Sequence, residues 1–553
     1  MKVSLVLLSL AISVSAQQHV FETEPPGTAF HHPIRRVAVV GAGPAGLQAA
    51  ANLIEHNFTV RLFERAPHPG GNWIYSEETP VRESYPYAYA NKLRDEPAGH
   101  AAEIPAQLPV TRYYSEGDNG LTLDERWTEH WQPRPVWDSL HTNSPKVSTE
   151  LPDVQYAPDT PWVLSTHTIQ RHVRSFASHH CLNSNDYCPA SVSAPPVTAY
   201  STRVEKVEKD DSTHTWVLTL RRLERLYESD RILAEWWTET FDAVVLAAGP
   251  YTAPHVPEID GIVNWSKAKV GAQYSMYHSQ TYRHPERYAD KTVLIVGASV
   301  SASEIARDIG PFASRIIASI RPPKDSTEMR QRSLLRFPNI TEFVPEIAFF
   351  EPLEKHNEGI RNGKIHLING TVLQGIDEII LATGYRSHPL YPHNSTSRVP
   401  EKIHWTGHYI PDPTLAYTLG RPWVLGRYQS YGFAKVWAGT ARLPSEEVKL
   451  PPTPDDRRRN WRSMWLGEAI IRRYVSWLNG ASLEHGGRFV EPPPIENVEL
   501  LNYYAVVHFL NINRDCQTTM DLDGLGGLGI STLANQLTGK DPWDALVFED
   551  DDW

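Results

Sequence analysis

Cysteine is scarce in this chain: Cys181, Cys188 and Cys516 are the three among 553 residues, and none forms a C-x-x-C pair. That argues against a dithiol redox enzyme and against a fold held together by disulfides. Cys181 and Cys188 bracket a polar loop and could pair, which would leave Cys516 alone. Positive charge is also short, Lys+Arg 53 against Asp+Glu 65 for a net −12, so no general attraction to nucleic acid is expected. The strong charge clusters, RRR at Arg457–Arg459 and EDDD at Glu549–Asp552, read as solvated segments. Beyond the N-terminus no run is apolar for the roughly 20 residues a membrane helix needs. Neither a Ser/His/Asp triad nor a pair of glycosidase carboxylates can be picked out. What remains is ordinary globular material, 41% hydrophobic and 21% charged, in a chain long enough for two or three domains.

The N-terminus, MKVSLVLLSLAISVSAQQ, has a basic start at Lys2, an apolar run from Val3 to Val14 and small residues before Gln17. This is the layout of a secretory signal peptide with cleavage after Ala16, the alternative being an uncleaved anchor or a buried first strand. N-x-[ST] triplets at Asn57, Asn264, Asn339, Asn369 and Asn394 agree with secretion, though each triplet arises easily by chance. The expected address is therefore the secretory pathway, outside the cell or in the lumen of the endoplasmic reticulum. The ending EDDDW is no retention signal of the KDEL type.

RRVAVV (Arg35–Val40) reads as a buried parallel strand, followed by GAGPAG and a helical stretch, then by the strand TVRLFER ending near Glu64. In this G-x-G-x-x-G, Gly41 permits the tight turn, Gly43 lets backbone approach a pyrophosphate, and Gly46 lets helix and strand pack closely. Pro44 and Ala45 open the helix, whose N-terminal amides and dipole attract phosphate. Glu64 can accept the ribose hydroxyls of the bound dinucleotide. Residues 80–135, rich in Pro, Tyr and charge, suggest an insertion wrapped on the surface. TWVLTLRRL (Thr215–Leu223) alternates as an antiparallel strand should, and FDAVVLAAG (Phe241–Gly249) returns to a buried one.

A second strand–turn–helix begins at Lys291. In VLIVGASVSASEIA, Gly297 holds the first glycine's place, Ser299 the second and Ala302 the third. Serine still allows close approach and can itself donate to a phosphate, and alanine is the accepted variant of the third glycine. After the next strand no acid stands where Glu64 does; Arg321 stands there instead, a cation suited to a 2′-phosphate. GLGGLG (Gly524–Gly529) fits the same letters but lacks a preceding buried strand and reads as a loop. HWTGH (His404–His408) has i, i+4 histidines, but Gly407 disfavours a helix and nothing completes a metal set. No metal is expected.

An acid-ended first unit and an arginine-ended second imply FAD followed by NADPH, and the chain here resembles the flavin-containing monooxygenase family. Further motifs carry the resemblance. GGNW (Gly70–Trp73) resembles GGxW, which implies that Gly71, Asn72 and Trp73 lie along the flavin. SLHTNSPK (Ser139–Lys146) resembles a segment whose asparagine faces the reactive edge of the flavin and the bound NADP. That implies a catalytic role for Asn143, with Thr142 and Ser144 beside it at the cofactor. LATGY (Leu381–Tyr385) resembles a late return strand, with LAAGPYTAPHVP as its earlier counterpart. YHSQTYR (Tyr277–Arg283) matches the back half of FxGxxxHxxx[YF] through His278, the second catalytic candidate, and Tyr282. Its front half departs, with Ala272 for Phe and Tyr274 for Gly. Ser301, Ala302, Ser303 and Glu304 would help grip NADP.

The resemblance implies an α/β architecture of two Rossmann-like domains, the second inserted in the first, with a mainly helical C-terminal extension. The expected boundaries are 1–16 for the leader, 33–262 and 386–445 for the FAD domain, 263–385 for the NADPH domain, and 446–553 for the extension. It also implies a reaction: NADPH reduces FAD, O₂ adds at C4a, and the hydroperoxyflavin oxygenates a soft nitrogen or sulfur nucleophile of a small molecule. The alternatives are a Baeyer–Villiger enzyme, which has Trp where this chain has Tyr282, a secreted flavin oxidase, and a non-catalytic flavoprotein.

Overall fold

The computed structural model describes residues 30–80, 104–183, 197–386, 402–444 and 462–492, less 143, 145, 162–163, 250, 252, 322–333, 335–336 and 419–422. Two parallel five-stranded sheets with the same plan organise the chain. In the first, Leu415–Tyr417, Ala243–Leu246, Arg36–Val40, Thr59–Phe63 and Thr198–Ala199 lie side by side. In the second the corresponding order is Met276–His278, Glu378–Leu381, Thr292–Val296, Arg315–Ser319 and Thr341–Val344. The chain leaves the first sheet after Leu246, builds the second, and returns at Leu415, so the second unit is inserted in the first.

Each sheet is covered on both faces, which is why its strands read as continuous apolar runs. Val37 and Val39 pack with Leu47, Ala50 and Leu53 of the helix Pro44–Glu55. Ala38 and Val40 turn the other way, onto Trp216, Leu218 and Leu220 of an antiparallel sheet. The second unit repeats this: Val293 and Ile295 pack on Ala302, Ile305 and Ile309 of the helix Val300–Ile309, while Leu294 faces Ile347, Phe350 and Ile365.

The stretch 104–135 is not the surface wrapping expected for it. Val110–Tyr114 forms the edge of the antiparallel sheet, beside Arg231–Phe241, Thr215–Leu226 and Thr202–Asp210. Leu123–Trp131 is a helix with a capping box, in which the Thr122 hydroxyl accepts the Glu125 amide and the Glu125 carboxylate accepts the Thr122 amide. Past the first sheet, the helix Trp423–Trp437 puts Phe433 and Ala434 against the first helix layer. The helix Arg462–His485 then packs Tyr474 and Leu478 on Tyr428 and Tyr431. The GLGGLG loop lies outside the described residues, as does the leader.

Candidate functional site

The two glycine turns are built alike. Gly41, at φ +105, sits so close to the return strand that a Cβ would stand 2.6 Å from the Ala247 carbonyl oxygen. Gly297, at φ +131, repeats this at 2.4 Å from the Ala382 oxygen. LAAG and LATG are thus structural counterparts. A Cβ on Gly46 would lie 1.8 Å from the Gly41 oxygen, so the first helix is seated directly on its turn. No side chain caps either helix: Gly43 with Pro44 opens one and Ser299 the other. In both, the N-terminal amides face outward at the sheet's carboxyl edge, where anions bind.

The GGNW segment forms a single 3-10 turn, Gly71–Trp73, lying on the first glycine loop. A Cβ on Gly71 would stand 2.7 Å from the Gly43 Cα, so the two backbones touch. The Asn72 amide nitrogen lies 3.9 Å from where a Gly249 Cβ would be, at the exit of the return strand. Trp73 packs at the edge of the first core. Glu64 is buried at the end of its strand, where its Oε2 accepts the Ala42 amide at 2.8 Å and its Oε1 the Ala66 amide at 2.9 Å. Arg134, absent from every motif, donates to the same Oε1 at 3.0 Å.

In the second unit Ser299 is exposed and Ser301 half-buried at the open end of the helix. Ala302, Ser303 and Glu304 are buried within its packing. The Ser303 hydroxyl donates to the Val300 carbonyl, and Glu304 pairs with Arg307. Strand register locates Arg321. Val40 pairs with Phe63 and Glu64 follows; Val296 pairs with Ser319, so Ile320 is the counterpart of Glu64 and Arg321 comes next. Its side chain is 72% exposed and bonds Glu346 at 2.9 Å.

The segments crossing between the two units are tied together by the fingerprint. Ala253–Pro254, going out, pairs antiparallel with Tyr385–Arg386, coming back. His278 is buried beside them. Its Nδ1 accepts the Gln280 amide at 3.2 Å, so Nε2 carries the proton and donates to the Gly384 oxygen at 2.9 Å. Both ring nitrogens therefore hold backbone, and the imidazole fixes the crossing.

Neighbouring fingerprint residues reach in opposite directions. Tyr282 donates to Asp308 in the second helix, and Ser139 donates to the same carboxylate at 2.7 Å. Arg283 donates to the carbonyls of Ser76 at 2.8 Å and Glu78 at 2.6 Å, just after GGNW, and to those of Gln280, Tyr282 and Arg134. Burial pushes its guanidinium down to about 10, with Tyr75, Glu77 and Tyr385 opposing the shift.

Asn143 lies outside the described residues. Thr142 beside it is buried, with its amide donating to the Leu164 oxygen at 2.8 Å and its hydroxyl accepting the Leu164 amide at 3.0 Å. Ser144 on the other side is half-buried. Ser139 and Thr142 thus anchor the chain just before position 143, to Asp308 and to Leu164.

The histidines of HWTGH converge on a threonine. The Thr406 hydroxyl lies 2.7 Å from His404 Nδ1 and 2.9 Å from His408 Nδ1, and burial pushes the rings down to about 4 and about 3. Among the described residues no group of His, Cys, Asp or Glu could hold a metal ion. Cys181 is in a disulfide.

Comparison with known proteins agrees with this geometry. A family model described as an NAD(P)-binding Rossmann-like domain matches residues 39–102, and one described as flavin-binding monooxygenase-like matches residues 132–324. The flavin-containing monooxygenase iboF of Amanita muscaria is 33% identical over 543 residues, covering 88% of this chain and 98% of that protein. The flavin-containing monooxygenase ustF2 of Aspergillus flavus is 31% identical, covering 74% of this chain and 84% of that one. Among solved structures, an S-allyl-L-cysteine S-oxygenase from Allium sativum superposes with a TM-score of 0.54 at 19% identity, covering 89% of this chain and 98% of that one, a likeness of fold.

Proposed function

The chain belongs to the flavin-containing monooxygenase family, and from that premise we propose that it uses NADPH and O₂ to oxygenate a soft nitrogen or sulfur nucleophile of a small molecule. It is an FAD-dependent oxygenating enzyme; the nicotinamide preference and the substrate class are the proposal. One observation carries it most: the arginine one residue beyond Glu64's counterpart, on a second glycine turn built like the first.

The residues fit the two dinucleotides. Gly41 and Gly46 have no room for a Cβ against the Ala247 and Gly41 oxygens, Gly43 leaves its backbone open to a pyrophosphate, and Glu64 would accept the ribose hydroxyls. Gly71, Asn72 and Trp73 extend that site along the flavin. Gly297, Ser299 and Ser301 form the second phosphate cradle, with Ala302, Ser303 and Glu304 packing its helix, and Arg321 takes the 2′-phosphate. FAD supplies the chemistry of O₂ activation: one oxygen atom goes to the substrate, the other leaves as water, and NADPH provides the two electrons. Asn143, which can both donate and accept, together with the buried Thr142 and its half-buried neighbour Ser144, positions the nicotinamide and excludes water. His278 acts by holding Gly384, not by moving a proton.

Incubation with NADPH, isotopically labelled O₂ and a panel of thioethers, tertiary amines and ketones tests the reaction class. One labelled oxygen in a sulfoxide or N-oxide is expected; label in an ester instead would mean Baeyer–Villiger chemistry. Arg321→Ser is expected to raise the Kd for NADPH about 10- to 100-fold and leave that for NADH within about twofold, as loss of a charged phosphate contact should. An equal rise for both would remove Arg321 from the 2′-phosphate.

We further propose that the protein enters the secretory pathway. The leader, the disulfide at Cys181 and exposed turns at Asn57, Asn339 and Asn369 support it. An endoplasmic reticulum lumen address reconciles secretion with a need for NADPH. Asn264 differs from those turn sites: its Oδ1 accepts the Leu353 amide at 2.8 Å, and Ser266 is buried. Deglycosylation with residue tagging should mark Asn57, Asn339 and Asn369 and leave Asn264 bare. A tagged Asn264, or no tag anywhere, contradicts this.

A further inference from the structure

Arg134 belongs to no motif, yet it joins the main parts of the FAD site. It is 6% exposed. Its Nη2 donates to Glu64 Oε1 at 3.0 Å and its Nε to the Gly71 oxygen at 3.1 Å, with Nη1 3.4 Å from the Gln132 oxygen. Its own carbonyl accepts from Arg283 at 3.3 Å. One guanidinium thus ties the strand-end acid to the GGNW turn and, through the Glu64–Ala42 bond, to the glycine loop.

The lone pairs of Glu64 sharpen the point. An ionised carboxylate offers about four acceptor sites, two on each oxygen. Ala66 and Arg134 fill Oε1, and Ala42 takes one site on Oε2. A single acceptor site on Oε2 remains, and its direction is fixed because Oε1 is held from both sides. Without Arg134 the carboxylate could rotate and lose that direction, and Gly71 would lose the donor that holds it against Gly43.

We propose that Arg134 is a positioning residue for FAD: it aims the remaining Oε2 site of Glu64 at the adenosine ribose and holds the Gly71 turn on the glycine loop. This rests on the reading of Glu64 as the ribose acceptor.

A double-mutant cycle on the full chain, stripped of flavin and titrated with FAD by flavin fluorescence, tests it. Arg134→Gln and Glu64→Gln are each expected to raise the Kd about 10- to 100-fold, the range for bonds to charged groups. Because the aiming acts through Glu64, the double variant should bind more tightly than the product of the two single losses predicts, the loss left on the Glu64→Gln background being that of the Gly71 contact. Arg134→Lys, which keeps the charge but not the fork, should fall between wild type and Arg134→Gln. If Arg134→Gln does not fold by circular dichroism, Arg134→Lys takes its place in the cycle. A full, additive loss on the Glu64→Gln background overturns the proposal and leaves the ribose reading standing. An unchanged Kd in Glu64→Gln removes the ribose reading and the proposal with it.

Discussion

Gly43→Ala should yield a folded protein that binds FAD about 10- to 100-fold more weakly, the cost of forcing a methyl into a filled contact. Gly43 lies at φ −79 and ψ 177, extended backbone that alanine adopts without strain. Its Cβ would meet the Gly71 Cα at 3.4 Å, an ordinary contact, so the protein itself has room. On the proposed reading the loss comes from the pyrophosphate approaching the backbone there. Gly46→Ala makes the contrast, because its Cβ would fall 1.8 Å from the Gly41 oxygen and the helix would have to move whether or not flavin is bound. Melting of the flavin-free chain checks the distinction: near wild type for Gly43→Ala, clearly lowered for Gly46→Ala. Gly43→Ala that binds FAD as tightly as wild type would mean the phosphate does not sit on this turn.

Arg283→Met should destabilise the protein by about 3–5 kcal/mol, because buried carbonyls that lose their donor each cost about 1–3 kcal/mol before water relieves some of them. The guanidinium faces carbonyls from the FAD unit (Ser76, Glu78, Arg134) and from its own loop (Gln280, Tyr282). Methionine fills similar space and donates to none. Arg283→Lys recovers part of the loss, since an ammonium has three donors to distribute. Chemical denaturation of the full chain measures it; a change within about 0.5 kcal/mol of wild type, the usual range for inconsequential sites, would contradict the role.

What could be read from sequence follows from how local each constraint is. The glycine turns were legible because their reasons are backbone sterics within a few residues. The strand before Arg321 was legible but its register was not: Val296 pairs with Ser319, so Ile320 rather than Arg321 stands at Glu64's position. The capping box Thr122-x-x-Glu125 and the alternation of Ile232, Ala234 and Trp236, all buried, were equally readable signals of a helix and a strand in stretches read otherwise or passed over. Arg134 was not legible: its partners Glu64 and Gly71 lie 70 and 63 residues away, and only folding brings them together. His278 was recognisable as a motif residue, but its task was not, because that task is set by the Gly384 oxygen 106 residues on. Asp308, the acceptor for Ser139 and Tyr282, lies in no motif and is met for the same non-local reason.

NADPH bound at the second glycine turn is proposed to reduce a flavin held on the first. Mixing the FAD-loaded protein anaerobically with NADPH or NADH, and following the flavin absorbance, tests it most directly. Rapid bleaching by NADPH, much slower bleaching by NADH, and substrate-dependent oxygen uptake on admitting air are the predicted result. If neither nicotinamide bleaches the flavin, the second turn is a packed relic and the monooxygenase mechanism proposed for this chain is wrong.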